Sequence, residues 1–196
     1  MPSRTFAVVV IGVSAGGLEA LKQLLGALPD AFPLPILIVQ HLRPEDEGRL
    51  SECLQRFCAL RLKEADDGEA IAAGTVYFAP ANYHLLVERD GRLALSVDPR
   101  VRHARPSVDV LFEAAAEAFG PAVIGVVLTG ANDDGSAGLA WIKRRGGLAI
   151  VQDPADAAID QMPRSALREV DADYILPLRE IAGHLQCLAA TGAGTC

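Results

Sequence analysis

Phe6-Ala7-Val8-Val9-Val10-Ile11 is an unbroken apolar run, and it leads directly into Gly12-Val13-Ser14-Ala15-Gly16-Gly17. A run of this length that ends on small residues reads as a buried strand feeding a helix. The turn contains Gly-x-Ser-x-Gly, with the serine where the chain changes direction. That placement lifts a hydroxyl above the edge of a sheet and puts the first N–H groups of the helix beside it. Such a serine can serve as a nucleophile, with part of an oxyanion hole supplied by the main chain. Small residues also occur at such turns for tight packing alone, so a base and an acid must be found at the same edge.

Working outward, Leu18, Leu21, Leu24, Leu25 and Leu28 form a helical stripe that Pro29 ends. Pro35-Ile36-Leu37-Ile38-Val39-Gln40 is a second strand leading into His41, followed by a helical face of Leu50, Cys53, Leu54 and Phe57. Continuous apolar runs, rather than alternating ones, suit parallel strands covered on both faces. The middle differs. After a short strand at Val76-Tyr77-Phe78, the segments His84–Glu88 and Arg92–Ser96 flank Asp90-Gly91, a hairpin signal. Alternation then resumes: a helix over Val108–Phe119, a strand Val123–Leu128, a helix Ser136–Arg145, a strand Leu148–Gln152, a helix Pro163–Val170, a strand Tyr174–Leu176 and a helix Ile181–Leu188. The expected architecture is a doubly wound α/β domain over residues 1–190. Its mainly parallel sheet has helices on both faces and an inserted antiparallel hairpin. The Gly- and Ala-rich residues 191–196 are expected to be a flexible tail.

With 196 residues, one domain of this size buries roughly 70% of its unfolded surface and needs no disulfide or metal staple. The formal net charge of −7 argues against a general nucleic-acid binder, which needs clustered Lys and Arg. Cys53, Cys58, Cys187 and Cys196 show neither Cys-x-x-Cys nor zinc-site spacing. A reducing, cytoplasmic setting is expected. No signal peptide is evident, and no stretch reaches the ~20 apolar residues of a membrane span, so no membrane insertion is expected.

In an open parallel sheet, ligands sit beyond the carboxyl ends of the strands. Three chemistry-bearing segments fall there: Ser14 after the first strand, Gln40-His41 after the second, and Thr129-Gly130-Ala131-Asn132-Asp133-Asp134-Gly135 after Val123–Leu128. Serine, histidine and aspartate are the set that deprotonates a hydroxyl and steadies the resulting imidazolium. His184 sits among Ile181, Leu185 and Leu188 and reads as structural. His84 starts a hairpin strand, and His103 lies in a loop with Arg100, Arg102 and Arg105. That basic loop reads either as a solvated segment or as a substrate contact. The chain order serine, histidine, aspartate differs from that of the α/β-hydrolases.

At these residues the sequence resembles the catalytic domain of the chemotaxis protein-glutamate methylesterases, the CheB type. The matching pieces are Ile11–Gly17, Gln40-His41, Gly74–Pro80, Arg105–Phe112, Leu128-Thr129-Gly130 with Asp134-Gly135, Val151–Pro154 and Met162-Pro163-Arg164. They run in order over nearly the whole chain. The resemblance implies a Ser–His–Asp triad at Ser14, His41 and Asp134, and no metal or organic cofactor. It also implies hydrolysis of glutamate γ-methyl esters on the cytoplasmic helices of methyl-accepting chemoreceptors or a similar methylated signalling protein, with deamidation of selected glutamines. Backbone N–H groups at Ala15, Gly16 and Ala131 are the expected oxyanion donors.

The chain departs from the family's usual pattern in three places. Ala15 replaces a frequent threonine, and Gly130-Ala131-Asn132-Asp133 replaces the common Gly-Met-Gly followed by one residue. With five residues ahead of the first strand, the receiver domain usual in the family is not expected here, so a receiver or methyltransferase partner is expected to be a separate protein, and activity is expected without a phosphodonor. Two other readings remain open: a receptor-binding relative that does not hydrolyse, and a nucleotide-binding module. The second is disfavoured by Gln40-His41, where ribose binding would ask for an acid.

Overall fold

The computed structural model describes residues 5–41 and 49–191. In chain order the elements are β1 (Val8–Val13), α1 (Gly17–Gly26), β2 (Ile36–Gln40), α2 (Arg49–Gln55), β3 (Arg61–Glu64), β4 (Thr75–Phe78), β5 (His84–Val87), β6 (Leu93–Ser96), α3 (Val108–Phe119), β7 (Val123–Val127), α4 (Ser136–Arg144), β8 (Leu148–Gln152), α5 (Gln161–Glu169), β9 (Tyr174–Leu176) and α6 (Leu178–Thr191). Seven strands form one sheet in the order β3-β4-β2-β1-β7-β8-β9, and every pairing in it is parallel. This is the doubly wound architecture expected from the sequence.

Each face of the sheet has its own apolar layer. Along β1, Val9, Ile11 and Val13 pack with the buried residues of α1, α2 and α6, whereas Val8 and Val10 pack with those of α3, α4 and α5. The pleat sends successive side chains to opposite faces, so a strand covered on both sides must be apolar throughout. All six residues of β1 are buried. Gly12 marks a close approach, because a Cβ there would lie 2.2 Å from Val108 Cγ1. The start of α3 can therefore rest directly on β1 beneath the serine turn.

Arg61–Glu64 is an additional strand at the sheet edge, and two expectations need correction. The hairpin β5-β6 is antiparallel as expected, but it forms a separate two-stranded sheet and packs on α3 rather than joining the parallel one. Thr191, assigned to the tail, ends α6, and residues 192–196 lie outside the described residues. Among the described residues, no helix is long and apolar enough to cross a membrane.

Candidate active site

The chain winds outward from β1 through β2 to β4 in one direction and from β7 through β8 to β9 in the other. The winding thus reverses between β1 and β7, and the crevice beyond their carboxyl ends is the expected ligand site of this architecture. Ser14 follows β1, His41 follows β2, and Asp134 lies in the loop between β7 and α4. Ser14 and His41 line one cleft of about 260 Å³, together with Asn132 and residues of the 100–106 loop. Asp134 lies behind them, 2% exposed.

Asp134 is held by four hydrogen bonds. Its Oδ2 accepts from His41 Nε2 at 2.8 Å and from the Val108 N–H at 2.8 Å. Its Oδ1 accepts from Ser107 Oγ at 2.8 Å and from the Asp109 N–H at 3.0 Å. Two of these donors are the first N–H groups of α3, so the carboxylate sits at a helix N-terminus and meets the positive end of its dipole. Burial on its own would raise the Asp134 pKa. The His41 hydrogen bond and the N–H groups of Asp109 and Val108 outweigh it, so the group lies below the ordinary carboxylate range.

Because the folded-state pKa is depressed, the stability Asp134 contributes is present above its unfolded pKa and is lost as pH falls through the folded value. Asp134→Asn is therefore expected to destabilise the fold most at neutral pH. The difference from wild type should shrink below about pH 4, as read from urea midpoints at pH 7 and pH 3. Asp109 has the opposite sign. Burial first, then the nearby Asp134 charge, push its pKa up against the Gly138 and Gly135 N–H groups and Arg102.

The backbones of Ser14 and His41 are stapled together by Gln40. Its Nε2 donates to the Ser14 carbonyl at 2.9 Å and to the His41 carbonyl at 3.0 Å, while the His41 N–H donates to Val13 O at 3.2 Å. Gly17 leaves room for this side chain, since a Cβ there would sit 2.0 Å from Gln40 Oε1. Sequence reading placed Gln40 at the strand end but missed this function. The available signal was a polar residue closing an otherwise apolar run. Gln40→Ala is expected to lower kcat for ester hydrolysis by about 100-fold, because small misplacements of reacting groups cost that much. Steady-state kinetics beside a thermal melt would check it.

Ser14 is half-buried, and its Oγ has no hydrogen-bond partner among the described residues. The N–H groups of Ala15, Gly16 and Ala131 also donate to no described residue. Gly16, in the left-handed region at φ 79, lines a second cavity of about 410 Å³ with Lys22, Phe57 and Gln152. Gly130 packs against Met162, where a Cβ would meet Sδ at 1.9 Å and Ser14 Cβ at 2.9 Å.

The basic loop forms the wall of the cleft. Arg102 and His103 have φ 49 and 67, a left-handed turn closed by reciprocal hydrogen bonds between Val101 and Ala104. Arg102 is committed to Asp109, at 3.0 Å from Nε, and to Asp133. Arg105 Nη1 donates to the carbonyls of Val97 and Asp98. These two arginines therefore shape the wall, while His103 is exposed on it. His84 is buried and also structural: its Nδ1 accepts from the Ser107 N–H, and its Nε2 meets Pro99 O. Among the described residues no cluster of His, Cys, Asp or Glu could hold a metal.

A histidine hydrogen-bonded to a buried carboxylate beside a half-exposed serine is an arrangement able to carry out acyl transfer. The CheB methylesterase family model matches residues 9–185. A Leptospira interrogans relative named as a protein-glutamate methylesterase/protein-glutamine glutaminase is 51% identical over 174 residues, covering 89% of this chain and 90% of that protein. The protein-glutamate methylesterase FrzG of Myxococcus xanthus is 43% identical over 94% of this chain, which spans 55% of FrzG. The crystal structure of the Thermotoga maritima CheB methylesterase catalytic domain superposes with a TM-score of 0.90 at 36% identity, covering 94% of this chain and 99% of that one. A match over nearly every element, together with the same sheet order that puts Ser14, His41 and Asp134 at one crevice, establishes that this chain belongs to the CheB methylesterase family.

Proposed function

We propose that this chain hydrolyses glutamate γ-methyl esters by acyl transfer, with Ser14 as nucleophile, His41 as general base and acid, and Asp134 as the group that orients and steadies His41. The observation that carries this reading is the 2.8 Å bond from His41 Nε2 to Asp134 Oδ2 in the cleft that Ser14 lines. Because Asp134 occupies Nε2, the nitrogen left to take the serine proton is Nδ1. The two ring nitrogens thus exchange the parts they play in the chymotrypsin-type triad.

Ser14 Oγ attacks the ester carbonyl as its proton passes to His41 Nδ1. The imidazolium is stabilised by the ionised Asp134, and the oxyanion by backbone N–H groups, those of Ala15, Gly16 and Ala131, which donate to no described residue. Methanol leaves with the proton from Nδ1. Water, deprotonated by the same nitrogen, then releases the glutamate carboxylate. Deamidation of glutamine follows the same steps, with ammonia as the leaving group. No metal or organic cofactor enters these steps.

The family and its named relatives support, as substrates, the methylated cytoplasmic helices of chemoreceptors or a similarly methylated signalling protein. The reading further takes the chain to act in the cytoplasm, with a separate receiver or methyltransferase protein as a further partner. The test is to incubate the purified chain with receptor carrying radiolabelled methyl esters and count volatile methanol. Release well above the rate without enzyme is expected; none from any methylated receptor would leave a receptor-binding, non-hydrolytic role.

A further inference from the structure

We propose that Asn132 is a positioning residue for His41. Its side-chain amide occupies the ring's proton-accepting nitrogen in the resting state, so Nδ1 must pass from Asn132 to Ser14 before acyl transfer begins. This rests on the roles given above to Ser14 and His41.

The sense of every hydrogen bond in the cluster follows from groups that have no choice. The Asp134 backbone N–H can only donate, and it donates to Asn132 Oδ1 at 3.1 Å. The amide is therefore oriented with Nδ2 on its other side, 3.0 Å from His41 Nδ1. An NH₂ group has no lone pair to offer, so Nδ1 is the acceptor and carries no proton. Nε2 then carries the ring proton and donates to Asp134, whose depressed pKa keeps it ionised. Asp134, His41 and Asn132 thereby form a closed ring of hydrogen bonds.

The consequence falls on the serine. Imidazole Nδ1 has one in-plane lone pair, and it cannot accept a strong hydrogen bond from Asn132 and from Ser14 together. Consistent with this, Ser14 Oγ is without a partner among the described residues. Asp134 by itself fixes the tautomer, so the Asn132 bond adds masking rather than tautomer selection. Asn132 is half-buried and lines the cleft that substrate must enter, where its amide can be displaced. In the common form of the family's loop this place is a glycine, which has no amide to offer.

The test uses the full chain and a small acyl donor, p-nitrophenyl acetate, so that receptor recognition plays no part. Asn132→Gly is expected to speed acylation by about three- to tenfold, the loss of one hydrogen bond in the resting state. Asn132→Asp keeps the shape and the acceptor for the Asp134 N–H but places an acceptor against Nδ1. A proton drawn there leaves no base, so acylation should slow by at least about tenfold. A merely structural role would move both variants the same way. The ¹⁵N shifts of His41 supply the second readout: Nδ1 unprotonated in wild type and Asn132→Gly, protonated in Asn132→Asp. Acylation of Asn132→Gly at or below the wild-type rate, or of Asn132→Asp at the wild-type rate, overturns the proposal. Ser14→Ala is the control. If it is acylated like wild type, the nucleophile assignment fails and the masking role falls with it; if it is inert, the Asn132 outcome stands on its own.

Discussion

Asp134→Asn is expected to lower the rate of ester hydrolysis by about 10⁴-fold. The carboxylate accepts from four donors, two on each oxygen. An asparagine offers one oxygen and must turn an NH₂ group toward the remaining pair. Facing Ser107 and the Asp109 N–H, that group leaves a buried N–H without an acceptor. Facing Val108 and His41, it forces His41 to accept at Nε2 and carry its proton on Nδ1, the nitrogen that has to take the serine proton. The first choice costs stability, and the second disables the site by the tautomer alone. Asp133→Asn is the contrast. Asp133 is exposed and pairs with Arg102, so its change is expected to stay within about threefold. Comparing kcat of the two variants checks the assignment, and the reverse ranking would move the acid to Asp133.

Ser14→Ala is expected to remove hydrolysis more completely, on the order of 10⁶-fold in kcat, with a change in stability of no more than about 0.5 kcal/mol. The side chain is half-buried and its hydroxyl has no partner among the described residues, so truncation leaves neither a cavity nor an orphaned group. Gly130 and Gly17 hold the turn by backbone proximity, which alanine does not disturb. Unaltered melting together with lost activity separates a chemical role from a structural one. Ser107→Ala should behave differently. Ser107 is fully buried and donates to Asp134, so its loss should cost stability as well as rate.

The fold was legible wherever an apolar run ended on a turn, because strands covered on both faces have no polar positions to blur them. The helix Val108–Phe119 and the strands Leu148–Gln152 and Tyr174–Leu176 have the bounds expected of them. Arg61–Glu64 was not legible, because in Arg-Leu-Lys-Glu only Leu62 is buried and an edge strand needs no apolar run. The hairpin was legible from Asp90-Gly91, but its separation from the sheet was not, since that depends on packing against α3.

At the crevice, Ser14, His41 and Asp134 could be picked out because each follows a core strand. The neighbours that hold them could not. Gln40, Ser107 and Asn132 act through hydrogen bonds between segments 26 to 91 residues apart, and nothing local in the sequence marks such pairs. Arg102 could be read from sequence as part of a solvated loop or as a substrate contact; its two carboxylate partners instead commit it to shaping the wall.

Everything in the mechanism turns on Ser14 being the group that attacks. A fluorophosphonate that reacts only with activated serines, followed by peptide mass spectrometry, tests it directly. One phosphonyl group is expected on the peptide containing Ser14, with loss of methanol release in step with its incorporation and no labelling of the Asp134→Asn or His41→Ala chain. Labelling of Ser107, Ser136 or Ser165 instead, or full activity with Ser14 blocked, would contradict it.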